Sequence, residues 1–273
     1  MANIDGYEKQ SRYANNGQDL NRDHTKLTNP EMIAIKKAIN NFSPDLMVDF
    51  HEYKPYRVDF VKFGEYGTTS MFDCMFLYSG NLNVCPLIKE TIESKFIPDA
   101  TKKLDFYKLK YHNYLSSKHK NNKIYFNLGS VSPRSSATSF ALSNCISLLM
   151  EVRGVGLKRD SFKRRIFTTY LLANSFLKTA INHSSYITNE IKSCNTFPEE
   201  IVIKYKKEKI NTDNGEVDGF FINNDYPIKV FAMMPEGLSL WYGSKEVIPN
   251  ATLSLGELPK SIESNVGVIL YSE

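Results

Sequence analysis

No stretch of this sequence stays apolar long enough to span a membrane. The opening MANIDGYEKQSRYANNG also lacks the apolar core of a signal peptide. With Met1 as the true start, this predicts a cytoplasmic protein; with Met1 internal to a longer chain, an export signal would lie upstream and a periplasmic or secreted location would follow. Cysteine is scarce. The four residues Cys74, Cys85, Cys145 and Cys194 form no C-x-x-C pair and keep no regular spacing, which argues against a zinc finger and a dense disulfide framework. They read as small buried residues, most clearly Cys145 in the apolar run CISLLM. Strong charge is missing as well: the net charge is +4 over 273 residues. The basic residues of KYKKEK and KRDSFKRR are interleaved with acidic or apolar ones, as on a solvated face, so no nucleic-acid partner is expected.

What is present is the composition of an ordinary globular chain, 42% hydrophobic and 23% charged. Its length suits one substantial α/β domain and a small appendage. From Thr28 to Phe42 the sequence carries helix-start chemistry, with Thr28 or Asn29 as cap and Pro30 in the first turn. Met32, Ile35, Ile39 and Phe42 then recur at helical spacing. Ser43-Pro44-Asp45 breaks that helix, and Leu46 to Phe50 reads as a short buried strand ending at His51.

A second helix is predicted from Pro86 to Leu104, with Pro98 ending or kinking it, and strand-like runs follow near 108–114 and 123–126. Cys145 to Met150 is a continuous apolar strand that delivers Glu151 at its end. A long helix over 159–181 places Phe162, Ile166, Phe167, Tyr170, Leu171 and Leu177 largely on one face. Beyond it, the short runs EEIVIKY, VDGFFI, IKVFAM, LSLWYG and VGVILY alternate with turn residues. The expectation is therefore an α/β fold, a mixed and mainly parallel sheet with flanking helices. Residues 1–187 form the main domain and 188–273 a small β-rich C-terminal region.

Three clusters can carry chemistry. The first contains Arg12, Asn21 and Arg22; an arginine fork beside an amide suits a carboxylate, though an ordinary surface loop has the same composition. The second is Asp49-Phe50-His51-Glu52 at the end of a strand. A lone histidine is either a structural residue or one ligand of a metal site that needs three. The third is Glu151, which follows five apolar or small residues; such a carboxylate is either neutralised by a base such as Arg153 or held for acid/base work.

Together, in the order R-x-x-x-N-G-x-D-L-N-R, then P-D-L-x-x-D-x-H-E, then a hydrophobic strand ending E-x-R-G, the clusters closely resemble the catalytic half of zinc carboxypeptidases of the carboxypeptidase A type. Asn3-Ile4-Asp5-Gly6 is similar to the Asn-Pro-Asp-Gly turn that precedes the arginine in that family. The resemblance covers about residues 2–181. It implies a hydrolase that cleaves C-terminal peptide or amide bonds with a zinc-activated water. His51 would be a zinc ligand, Asn21 and Arg22 would hold the substrate carboxylate, Arg12 would stabilise the oxyanion and Glu151 would transfer protons. The segment 129–136 around Arg134 would form a wall of the cleft.

Members of the family bind zinc first through a His-x-x-Glu pair upstream of the Asn-Arg motif. None of the five histidines here, His24, His51, His112, His119 and His183, is followed three residues later by glutamate. The resemblance therefore implies a truncated fold, inactive as this chain alone, with an upstream fragment as a possible completing partner. Two further readings share the carboxylate clamp: a metal-free binding module for peptide C-termini, and a zinc-dependent deacylase of small N-acyl amino acids.

Overall fold

The computed structural model describes residues 2–55, 72–120, 123–157, 159, 161–194, 201–202, 209–212 and 215–218. The chain opens with the short helix α1 (Ile4–Lys9) and a 3₁₀ turn over Leu20–Arg22. Helix α2 (Pro30–Phe42) begins one residue after Asn29 and stops at Ser43, whose backbone turns left-handed at φ 49°. Strand β1 (Leu46–Tyr53) follows, then β2 (Cys74–Leu77) and helix α3 (Pro86–Thr91). A π turn (Ile92–Phe96) leads into α4 (Ile97–Phe106), strands β3 (Tyr111–Asn113), β4 (Leu115–Lys120) and β5 (Lys123–Leu128), and the short helix α5 (Ser136–Ala141). Strand β6 (Ile146–Arg153) and helices α6 (Phe162–Asn182) and α7 (Ser184–Ser193) complete the main body, with a β7 (Lys209–Thr212) and β8 (Gly215–Asp218) hairpin after it. Among the described residues, no helix is long and apolar enough to cross a membrane.

The main sheet has the order β1-β6-β2-β3. Two of its pairings, β1 with β6 and β2 with β3, are parallel, and β2 with β6 is antiparallel. This is the mixed, mainly parallel α/β sheet that the sequence predicts. Alternation along β1 and β6 divides two kinds of work between the faces. Leu46, Val48 and Phe50 of β1 and Ile146, Leu148 and Met150 of β6 pack into the main core, together with Phe96, Leu104 and Phe176 from the helices. On the other face, Leu149 packs with Leu77 and Ala137 of α5, and Asp49 reaches Ser136.

Several expectations are corrected. Pro98 does not end its helix: a π turn over Ile92–Phe96 precedes it, and helical structure continues to Phe106. His51 and Glu151 are not strand-terminal, because the β1–β6 pairing runs two residues further, to Tyr53↔Arg153. Of the face predicted for it, the long helix buries only Leu171. Its buried residues are Thr168, Leu171, Leu172, Ser175, Phe176 and Thr179, whereas Phe162, Ile166, Tyr170 and Leu177 are more than half exposed. Two of the buried hydroxyls are satisfied by hydrogen bonds, one within the helix and one to a neighbouring helix: Thr168 donates to the Arg164 carbonyl at 2.8 Å and Thr179 to Asp99 at 2.7 Å.

The cysteines are corrected too. Cys74 and Cys145 are buried and free, but Cys85 and Cys194 form a disulfide. Spacing could not show this, since 109 residues separate the partners and only the tertiary fold brings them together. The position predicted for the start of the β-rich region, residue 188, falls inside α7, and the runs beyond residue 218 lie outside the described residues.

Candidate active site

The N-terminal cluster is built from local hydrogen bonds. Asn3 caps α1 by accepting the Gly6 N–H at 2.9 Å and donates from its amide to the Arg12 carbonyl at 3.0 Å. Gly6 is required there, because a Cβ at that position would stand 2.3 Å from the Asn3 amide nitrogen and 2.4 Å from the Ser11 carbonyl oxygen. Arg12 donates its Nε to Asp19 at 2.8 Å. The other oxygen of Asp19 accepts the Asn21 N–H at 3.0 Å, capping the Leu20–Arg22 turn. One carboxylate thus fixes the Arg12 guanidinium and the backbone of Asn21.

Asp23 anchors the turn from below. Its buried carboxylate accepts the backbone N–H groups of Thr28 and Asn29, the Thr28 hydroxyl and the Asn29 amide, all within 3.1 Å. Burial works against its charge, but these donors outweigh burial and hold the carboxyl at about 2. The stabilisation is complete above the ordinary carboxyl value of 3.8 and is lost as pH falls through about 2. Asp23→Ala is expected to cost about 2 kcal/mol near neutral pH. That difference should shrink toward pH 2, as urea titrations at several pH values would show; a pH-independent difference would mean that the charge carries none of it.

Helix α5 gathers the other pieces. The Ser136 N–H donates to Asn21 Oδ1 at 2.8 Å, and the Ser136 hydroxyl donates to Asp49 Oδ2 at 2.6 Å. That same Asp49 oxygen meets His51 Nε2 at 2.9 Å. Burial alone would lower the His51 pKa, but the Asp49 hydrogen bond and the charges of Asp49 and Glu151 prevail, so it is raised. His51 pairs with Glu151 in the parallel register, and paired residues of parallel strands project to the same side of the sheet. Near the wall, Arg22 Nη1 donates to the Asn21 carbonyl at 2.7 Å and Arg134 Nε donates to the Arg22 carbonyl at 3.3 Å.

A cavity of about 330 Å³ opens along β1. Arg12, Asp19, Asn21, Asp49, His51 and Ser136 line its polar part, and Met32, Ile35, Met47, Val48 and Phe140 its apolar part. Of the residues singled out from sequence, Arg12, Asn21 and His51 therefore share one cavity. Arg22 stands beside it, and Glu151 lies one strand further in. Asp19, His24, Asp49 and Ser136 also line the cavity; they lie within the segments singled out from sequence but have no individual role there. Asp49 carried a readable signal, being two residues before His51 and so on the same strand face. His24 is buried, stands edge-on to Phe140 at 5.1 Å, and keeps Nδ1 without a partner. Burial, aided by the Lys36 charge, lowers its pKa to about 4.

Compared with known proteins, the chain is 27% identical over 195 residues to carboxypeptidase 2 of Trichophyton rubrum, covering 70% of this chain and 35% of that protein. It is 28% identical over 192 residues to a probable carboxypeptidase 2 of Arthroderma benhamiae, covering 70% and 36%. The chain is related to carboxypeptidases. It spans about a third of the length of these curated relatives. No family model and no solved structure matches it.

Among the described residues, no three of His, Cys, Asp and Glu come together as a group able to hold a metal ion. His51 offers one imidazole, and one imidazole holds zinc weakly. The described residues by themselves do not fit a zinc ion.

Proposed function

We propose that this chain forms the carboxylate-recognition and proton-transfer part of a carboxypeptidase-like hydrolase that acts on C-terminal peptide or amide bonds. The observation that carries this reading is the orientation of Asn21. Its side-chain oxygen is occupied by the Ser136 N–H, so its amide donors remain for a ligand beside the guanidinium of Arg12, which Asp19 holds through Nε alone. Donors of this kind, joined by Arg22, suit a carboxylate. Arg12 would stabilise negative charge developing on the scissile carbonyl oxygen. Glu151 would accept a proton from the attacking water and pass one to the departing amine, so that the C–N bond is replaced by C–OH and N–H. The names of the curated relatives support the reaction class.

Zinc enters this reading only with two further ligands from outside the described residues. Among the described residues, strand β1 is an edge of the sheet, and its apolar residues Leu46, Val48 and Phe50 are only half-buried. A segment adding a strand along that edge would pair with the β1 backbone and cover the cavity.

A second reading rests on the same clamp, whose Arg12 and Asn21 donors need no metal to hold a carboxylate: a metal-independent binding module for that group. Small N-acyl amino acids would fit the same clamp as peptides do. The test is binding of one peptide with a free C-terminus and the same peptide amidated, measured by calorimetry with and without a chelator. A charge-assisted clamp is expected to favour the free carboxylate by roughly 10- to 100-fold, and Asn21→Ala or Arg22→Ala should remove most of that preference. Equal affinity for the two peptides would sink both readings. Release of the terminal residue, suppressed by Glu151→Gln, would separate hydrolase from binding module.

A further inference from the structure

Cys85 and Cys194 are joined with their Cα atoms 5.7 Å apart, a separation that a bridge spans without moving the backbone. Cys85 is the residue before α3 and Cys194 the residue after α7, so the bond ties the start of one helix to the end of another. The chain beyond it is held a second time. The side chain of Asn83 accepts the Val202 N–H at 2.7 Å and donates to the Val202 carbonyl at 2.8 Å. In this way it supplies both bonds that a neighbouring strand would offer.

The loop that carries these two fasteners also supports the wall of the candidate site. Gly80 N–H donates to the Ser130 carbonyl at 2.9 Å, and the Asn81 amide donates to the Val131 carbonyl at 2.8 Å. The Ser79 hydroxyl meets the Thr138 hydroxyl at 3.1 Å. Thr138 belongs to α5, the helix whose Ser136 holds Asn21 and Asp49.

The other two cysteines do not compete for the bridge. Both are buried; burial pushes the Cys74 thiol far up, and that of Cys145 to about 12. Only a thiolate attacks a disulfide, so these two neither exchange with the bridge nor oxidise readily. One bonded pair and two inert thiols are what a chain retains when it folds under oxidising conditions, because the reduced cytosolic pool opens ordinary bridges.

We infer that this is a protein of an oxidising compartment, in which the Cys85–Cys194 bridge clamps the chain beyond α7 onto the loop behind the candidate site. In forming it, the two thiols lose two protons and two electrons to a disulfide oxidant, oxidised glutathione or an oxidoreductase disulfide, which is reduced to two thiols. The clamp does not depend on the proposed hydrolase reading, and its test uses no activity.

The full chain is equilibrated with a glutathione buffer at the poise of a secretory compartment, unfolded without reductant, alkylated and mapped by mass spectrometry. Label on Cys74 and Cys145 only, with the Cys85 and Cys194 peptides joined until a reductant is added, is the expected result. Label on all four cysteines, or any other pairing, overturns the inference. On the folded protein, reduction should speed hydrogen exchange at the amides of Asn81, Asn83 and Val202 by roughly tenfold or more while leaving β1 unchanged. Unchanged exchange at those three amides overturns the clamp.

Discussion

The double variant Cys85→Ser/Cys194→Ser is expected to lose about 4 kcal/mol of stability relative to the oxidised protein, read as a fall in the urea midpoint. The bridge closes a loop of 109 residues, and cross-linking so long a loop removes much of the freedom of the unfolded chain. The same loss should appear when a reductant is added to the wild-type protein and not when it is added to the variant. That comparison separates the covalent bond from the packing of the two side chains. A loss below about 1 kcal/mol would mean that the unfolded chain is already compact without the bridge.

Phe176→Ala is expected to cost about 3–5 kcal/mol, because removing a buried aromatic forfeits its transfer energy and leaves a void that the neighbours fill only in part. Phe176 is 1% exposed and meets Phe96 at 6.2 Å between ring centres, in the cluster that contains Leu148 and Met150. Tyr170→Ala, on the same helix, should change stability by no more than about 0.5 kcal/mol, since its side chain is 64% exposed. The contrast decides which face of α6 meets the sheet. Periodicity puts Phe162, Ile166, Phe167, Tyr170, Leu171 and Leu177 largely on one face, of which only Leu171 is buried, and equal or reversed costs for the two variants would restore that assignment.

The helix α6 shows why pattern alone misleads here. Large apolar residues occur on both of its sides, so a count of hydrophobic positions cannot choose between them. The sheet surface chooses Thr168, Leu171, Leu172, Ser175 and Phe176, where small hydroxyls permit close approach and a single phenyl ring fills the gap. The exposed set of Phe162, Ile166, Tyr170 and Leu177 is left as an apolar stripe on the outer surface.

The candidate site shows the same division. The sequence by itself determined the parts whose conformation is local. Helix α2 starts at Pro30 and ends before Ser43, the Asp19 cap fixes the turn at Leu20–Arg22, and alternation puts Asp49 and His51 on one strand face. Each of these depends on residues a few positions apart, and caps, turns and period-two alternation act over that range.

Only the tertiary structure decided the contacts that span long stretches of chain. These include Ser136 joining Asn21 to Asp49, His51 in register with Glu151, and Cys85 bonded to Cys194. Such pairs form when strands choose their neighbours and helices choose which side to bury. That choice is made by packing over the whole domain, which no short window of sequence contains.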